Sequence, residues 1–333
     1  MPSVKRHFLS SLPAFLCAIG LASAGLLGAT GAQAAFPDKP IRIVVPFPPG
    51  GAVDSVARIV AQHLSQAWGA TVVVDNKAGA GGAIGVEAVA RAPKTGYDLL
   101  LGPIGPLTIN PSLYPNLSYD TQRDFEPVVL IAGTPAVLVV QPSLGVNSVP
   151  AFVDLLKARP GKLNFGSAGS GNITHLVPEY FLTTVQARAT HVPYKGSAPA
   201  ISDFLGGQLD FMFDVVPTAQ PHIRSGKFKA LAVTSLKRSS ALPEVPTLDE
   251  LGYKGFDITS WWGLLAPKGT PQAVIDKLNE EVNRGLQTPA VRESLLKLGA
   301  DPLGGTPARF SGLIQSELAR WKKVVKDSGA KVD

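Results

Sequence analysis

From Ile41 onward the apolar positions follow two alternating patterns. Short continuous apolar runs of strand length, "IRIVVPF", "TVVVDN" and "YDLLLG", are separated by stretches with helical spacing. In "AVDSVARIVAQHLSQAWG", Val56, Ile59, Val60, Leu64 and Ala67 share one helical stripe that ends at Gly69, and "GAIGVEAVARA" reads as the next helix. The rhythm returns later. "KLNFGS" leads into "NITHLVPEYFLTTVQ", "ATHVPYKG" into "APAISDFLGG", and "LDFMFD" into "VPTAQPHIRSG". This order predicts an α/β fold of parallel sheets covered by helices on both faces.

Two stretches interrupt it. "PVVLIAGTPAVLVVQPS" carries two apolar runs with no helix between them, and "DITSWWGLLAPKGT" is a second extended segment far downstream. Flanking a central α/β block, such a pair predicts two strands crossing between lobes. Lobe 1 is then 36–138 with 257–333, and lobe 2 is 139–256, each a doubly wound unit. From Thr270 the chain reads as helical: "PQAVIDKLNEEVNRGLQ", "PAVRESLLKLG" and "PARFSGLIQSELARWKKVVKDSG".

Length and composition fit this picture. The 333 residues are 45% hydrophobic and 17% charged, enough for a sizeable core. Residues 1–35 read as a secretory signal, with basic Lys5 and Arg6, the apolar "FLCAIGLASAGLLGAT", and Ala32 and Ala34 placed for cleavage before Ala35. The competing reading is a membrane anchor, which Pro13 and the small-residue cleavage site argue against. Cys17 is the only cysteine, so a cleaved chain contains no disulfide and no thiolate metal site, which suits export to the periplasm. Without Lys5 and Arg6, 29 basic residues face 25 acidic ones, and the basic ones are scattered. That argues against a nucleic-acid surface.

In doubly wound sheets, ligands sit beyond the strand C-termini, against helix N-termini. The loops expected there are "PFPPGGAVD", "NKAGAGGAIG", "PIGPLTINP", "NFGSAGSGNITH", "VPYKGSAP" and "FMFDVVP". Small residues allow backbone N–H groups close to a ligand oxygen, where the helix dipole favours negative charge. The same glycines and prolines also serve plain tight turns. Nucleotide chemistry finds weak support: Gly79, Gly81 and Gly85 form a loose dinucleotide fingerprint without its ribose acid, and no GxxxxGKS/T occurs. An exported oxidoreductase using residues 79–85 is therefore the alternative from another class. Around Ser170, GxSxG fails, because Ala168 and Asn172 stand at the glycine positions. His63 and His191 read as structural, and no metal spacing is present. His175 either orients a ligand or bonds a nearby carbonyl. Asp54 meets the start of a helix or accepts from a ligand hydroxyl or amine, and Asp214 caps the helix near Val216 or faces the ligand. Lys195 is a cation in these loops, and loop lysines are commonly solvated.

Taken in order, these segments resemble the Bug family, periplasmic solute receptors of tripartite tricarboxylate transporters. "KPIRIVVPFPPGGAVD", "INPSLYPNLSYD", "PGKLNFGSAGSGNITHL" and "SWWGLLAPKGTP" carry much of the likeness, which extends over the whole chain after residue 35. The resemblance implies a type II periplasmic binding protein: two α/β lobes joined by two crossing strands, closing on a ligand carboxylate held largely by backbone groups. It implies no catalysis and no cofactor. It assigns Phe47, Pro48, Pro49, Gly50 and Asp54 to the grip from one lobe. From the other lobe it assigns Ser167, Ala168, Gly169, Gly171, Asn172 and His175, with Tyr194, Gly196, Ser197 and Asp214. The implied partners are a small organic carboxylate and membrane transporter subunits, with the chain itself a monomer; a role in presenting ligand to a sensor is equally compatible. One departure bears on the ligand. Ile104, Pro106 and Leu107 stand where relatives carry small polar residues, so an aromatic or short aliphatic acid, even a monocarboxylate, is expected rather than citrate.

Overall fold

The first strand, β1 (Ile41–Val45), is a run of β-branched residues of which Ile41, Ile43, Val44 and Val45 are fully buried. It is the centre of a parallel trio with β2 (Val72–Asn76) and β3 (Asp98–Pro103). The computed structural model describes residues 36–254 and 256–330, so the expected signal segment lies outside the described residues. Between β1 and β2 runs α1 (Ala52–Trp68), which ends on left-handed Gly69 as the sequence predicts. Its buried stripe is Val56, Ala57, Val60, Ala61 and Leu64, whereas Ile59 is only half-buried and Ala67 is exposed. The helix is turned so that two small residues, Ala57 and Ala61, join the buried face in place of Ile59 and Ala67. The second connection, α2 (Ala83–Ala90), enters through a short 3₁₀ turn at Ala80–Gly82.

"PIGPLTINP" is not the loop expected from its prolines. Gly105–Ile109 forms a wide π-helical turn continued by α3 (Asn110–Leu113), with Pro106 and Pro111 in first-turn positions. A first-turn proline removes an N–H that has no helical partner anyway, so a proline read as a breaker is here a starter. Thr108 donates its hydroxyl to the Ile104 carbonyl at 2.7 Å, and Leu107 and Ile109 are fully buried.

After α4 (Thr121–Asp124), the two apolar runs form one continuous 16-residue strand, β4 (Phe125–Val140). Its first part pairs antiparallel with β9 (Thr259–Pro267), up to the pair Pro135 and Thr259. Its last residues pair antiparallel with β7 (Phe211–Val215) and β8 (Lys229–Val233). The second half of the sheet holds β5 (Asn164–Ser167) parallel to β6 (Thr190–Pro193) and β7. The sheet order is β2-β1-β3-β9-β4-β7-β5-β6, with the short β10 (Asp301–Pro302) also on β4. Each half thus has the expected parallel core, but β4 and β9 run antiparallel to their neighbours and make the sheet mixed. The return crossing is tied at Thr234, which accepts from the Ile258 N–H at 3.0 Å and donates its hydroxyl to the Ile258 carbonyl at 2.6 Å.

Helices cover the second half: α5 (Val149–Ala158), α6 (Ile173–Thr184), α7 (Ser197–Leu205) and α8 (Val216–Arg224). The C-terminal helices are α9 (Gln272–Gln287), α10 (Pro289–Lys297) and α11 (Pro307–Ser328). The last packs on β4, α3 and α6, spanning the junction, and its fully buried Trp321 donates to Glu317 at 2.7 Å. Among the described residues no helix is long and apolar enough to cross a membrane.

Candidate functional site

Beyond β1 the chain turns through Pro46–Gly51, and the turn is pinned from beneath. Asp54, 4% exposed, accepts the Gly50 N–H at 3.0 Å, the Asn76 amide at 3.1 Å and the Arg58 guanidinium at 3.0 and 3.1 Å. Asn76 also donates to the Phe47 carbonyl at 3.0 Å. Burial alone would raise the Asp54 carboxyl, but the hydrogen bonds from Arg58, Gly50 and Asn76 outweigh it and hold it below its ordinary value. Asp54 is therefore a brace for the turn and is not on the cavity wall. Gly50, at φ +87°, supplies the left-handed conformation the turn needs. Helix α1 then begins without a side-chain cap.

The loop Ser167–Asn172, after β5, is organised the same way. Ala168 N–H donates to Thr174 Oγ1 at 2.8 Å, Gly169 N–H to Ser167 Oγ at 3.2 Å, and Gly171 N–H to His175 Nδ1 at 3.2 Å. Three backbone donors expected to face a ligand are thus spent within the loop. Ser167, fully buried, lies 2.6 Å from His191 Nε2. His175 stacks on His191 at 3.9 Å and 9°, and His191 stacks on Phe165. Desolvation, reinforced by the neighbouring imidazole, pushes His175 down to about 3, so it is neutral, with Nδ1 as acceptor. Ser167 and His175 are props behind the loop. A serine buried there has no access to a substrate, so the Ser167–His191 contact is not a nucleophile and base.

Asp214, fully buried at the end of β7, accepts the Thr218 hydroxyl at 2.6 Å, the Val215 N–H at 2.9 Å and the Ser197 hydroxyl at 3.3 Å. Desolvation pushes its carboxyl up to about 6, against the pull of those three donors. It neither caps α8 nor reaches the ligand space directly. Tyr194 turns away as well, donating to Asp203 at 2.7 Å.

A cavity of 460 Å³ lies among these loops, on the C-terminal side of the strands. Of the expected residues, Phe47, Pro48, Pro49, Gly50, Ile104, Pro106, Ala168, Asn172, Gly196 and Ser197 line it. Asp54, Ser167, Gly169, Gly171, His175, Tyr194 and Asp214 stand behind the wall. Leu107 points into the core rather than the cavity. The sequence reading missed Thr174, Thr218, Ser260 and Trp262 on the wall and set aside Lys195, the sole charged side chain among the described residues lining it. Ser260 and Trp262 are alternate residues of β9 and so share one face of that strand. Helix starts reach the cavity at Gly51–Val53 of α1, Asn172–Thr174 of α6, Gly196–Pro199 of α7 and, through Val215 and Thr218, at α8; α1, α7 and α8 have no side-chain cap. Aligned peptide dipoles make each start partly positive.

Residues 79–85 are absent from the cavity wall. Gly81 and Gly82 make room for Tyr114 and Pro106, and a Cβ on Gly85 would lie 2.7 Å from the Pro46 backbone. These glycines serve packing, which removes the basis of the dinucleotide alternative. Among the described residues no cluster of His, Cys, Asp and Glu could hold a metal ion. An open groove of 720 Å³ between residues 111–122 and α11 lies away from the helix starts and holds none of the expected site residues.

Residues 56–330 match the model of the tripartite tricarboxylate transporter family receptor. Protein BugT of Bordetella pertussis is 41% identical over 315 residues, 94% of this chain and 96% of that one. Among solved structures, Rpa4515 of R. palustris with adipate superposes with a TM-score of 0.85 at 36% identity, covering 90% of this chain and all of that one. MatC of Rhodopseudomonas palustris with bound malate gives 0.81 at 33% identity, over 87% of this chain and all of that one. With its two half-sheets, its crossing strands and its cavity of helix starts, the chain belongs to the Bug family of tripartite tricarboxylate transporter receptors.

Proposed function

We propose that this protein is a periplasmic receptor that captures one small organic carboxylate in the 460 Å³ cavity and delivers it to the membrane subunits of a tripartite transporter. One observation carries the reading: the starts of α1, α6 and α7 converge, with Lys195, on a cavity whose other walls are largely apolar, with the hydroxyls of Thr218 and Ser260 among them. Convergent helix starts stabilise a carboxylate without a buried counter-charge. The adipate and malate bound by two relatives support the same ligand class. Lobe 1, 36–138 with 257–333, and lobe 2, 139–256, close on the ligand about β4 and the return crossing.

Phe47, Ile104, Pro106, Ile173 and Trp262 favour a ligand with a hydrocarbon body. Covering that body gains about 25 cal/mol per Å². A second or third carboxylate set against those walls would lose hydration without partners, costing several kcal/mol. The ligand class is therefore an aromatic or short aliphatic acid rather than citrate. A thermal-shift screen of mono-, di-, tri- and aromatic carboxylates, amino acids, sugars and nucleotides tests this. Ligand at a hundred times its Kd stabilises by about 2.7 kcal/mol, a shift of about 4 °C for a protein of this size. Hits confined to sugars or nucleotides would overturn the reading.

A further inference from the structure

Ser197 and Thr218 put the only two hydroxyls of the α7 and α8 starts on the cavity wall, and both are tied to the same buried carboxylate. A hydroxyl carries one proton. An ionised carboxylate only accepts, so each hydroxyl must donate to Asp214, at 3.3 Å for Ser197 and 2.6 Å for Thr218. Thr218 has one other acceptor in reach, the Val215 carbonyl at 3.0 Å, and donating there also uses its proton. Either way these two hydroxyls offer the cavity oxygen lone pairs and no donor. Asp214 is fully buried and its remaining contact is the Val215 N–H, so nothing else neutralises it.

We infer that Asp214 sets the specificity of the cavity: by holding the protons of Ser197 and Thr218, it turns this wall into an acceptor edge that selects a carboxylate bearing a hydroxyl group. The inference rests on the carboxylate-receptor reading above. A second carboxylate gains no hydrogen bond from these two hydroxyls, because lone pairs would face lone pairs. An ammonium group would also be a donor, but Lys195 lines the cavity two residues before Ser197 and repels it. Asp214 acts through the two hydroxyls and is a positioning residue.

Calorimetry at pH 8, where Asp214 is ionised, tests this on the full mature chain. The probes are butanoate with its 2-, 3- and 4-hydroxy isomers and 4-aminobutanoate, and benzoate with its 3- and 4-hydroxy isomers. In whichever series binds, at least one hydroxy isomer is expected to bind tenfold or more tighter than its parent acid, and 4-aminobutanoate no tighter than butanoate. Asp214→Asn keeps the shape and places an amide N–H against Thr218, which frees the Thr218 hydroxyl proton, while the amide oxygen still accepts from Ser197 and the Val215 N–H. The hydroxy isomer should then lose most of its advantage over the parent acid. Thr218→Val should reduce the same ratio of hydroxy isomer to parent acid. If every hydroxy isomer of the wild type binds no tighter than its parent, or if Asp214→Asn leaves the ratio intact, the inference is wrong and the receptor reading stands. If no acid of either series binds, the receptor reading itself has failed.

Discussion

Replacing His175 with Asn separates two contributions that the native imidazole combines. The ring stacks on His191 and accepts the Gly171 N–H through Nδ1. An asparagine amide oxygen reaches the Nδ1 position, so the acceptor is kept and the stacked ring is lost. At pH 7 the missing ring leaves a small void beside His191, costing about 2–4 kcal/mol by analogy with other buried large-to-small changes. The pH dependence carries the sharper test. The imidazole titrates near 6.5 when exposed and is pushed down to about 3 in the fold, so between those values the unfolded chain binds the extra proton. Stability contributed by neutral His175 is therefore complete above pH 6.5 and drains away as pH falls. At pH 5, about 1.5 pH units below the titration of the exposed imidazole, the unfolded state is favoured by about 2 kcal/mol. Asparagine has no such loss. Urea unfolding of both proteins, followed by tryptophan fluorescence at pH 7, 6 and 5, should show the cost of His175→Asn shrinking by about 2 kcal/mol over that range. Titrations remote from the ring cancel in the difference; the neighbours coupled to it are His191, stacked on the ring, and Glu179, 3.9 Å from Nε2. A cost that stays constant within about 0.5 kcal/mol would show that the imidazole is not held neutral in the fold.

Other substitutions separate braces from walls. Asp54→Ala leaves the Gly50 N–H and the Asn76 amide without their buried acceptor and should cost about 2–3 kcal/mol in a urea melt, weakening every carboxylate alike rather than only those with a hydroxyl or amine. Gly171→Ala places a Cβ 2.8 Å from Leu113 and 3.1 Å from Asn110 at φ +79°, so a melting midpoint lowered by the equivalent of about 2–4 kcal/mol is expected. Gly105→Ala is its control: the nearest atoms are 3.6 Å away and stability should change by less than about 1 kcal/mol, while the added methyl on the cavity wall weakens binding in calorimetry. Lys195→Ala should leave the melt unchanged and weaken acid binding about tenfold, with most of the difference disappearing in high salt.

Periodicity exposed the strands and long helices because burial repeats at every second or every third to fourth residue. It was misleading where local chemistry supports two structures. Pro106 and Pro111 serve a turn or a helix start equally well, and only the burial of Leu107 and Ile109 decides for the helix. Alternation of strand and helix implied parallel neighbours, but the direction of β4 and β9 depends on pairing across more than a hundred residues. At the site, the small-residue loops were legible because approach to a ligand needs glycine, serine or proline. Whether a given polar group faces the ligand or braces the loop was not. Asp54 and Asp214 sit one layer back because each finds several buried donors there, among them the Asn76 amide and the Thr218 hydroxyl. Ser260 and Trp262 join the wall through strand pairing, which no local motif announces.

The central claim is that helix starts hold the ligand by its negative charge while apolar walls hold its body. Calorimetry of benzoate against benzamide, at equal concentrations and low salt, isolates that charge, because the two share size, shape and hydrocarbon surface. The account predicts that benzoate binds at least a hundredfold tighter than benzamide. Benzamide binding within threefold of benzoate would contradict it, because the cavity would then be selecting the ring and ignoring the carboxylate.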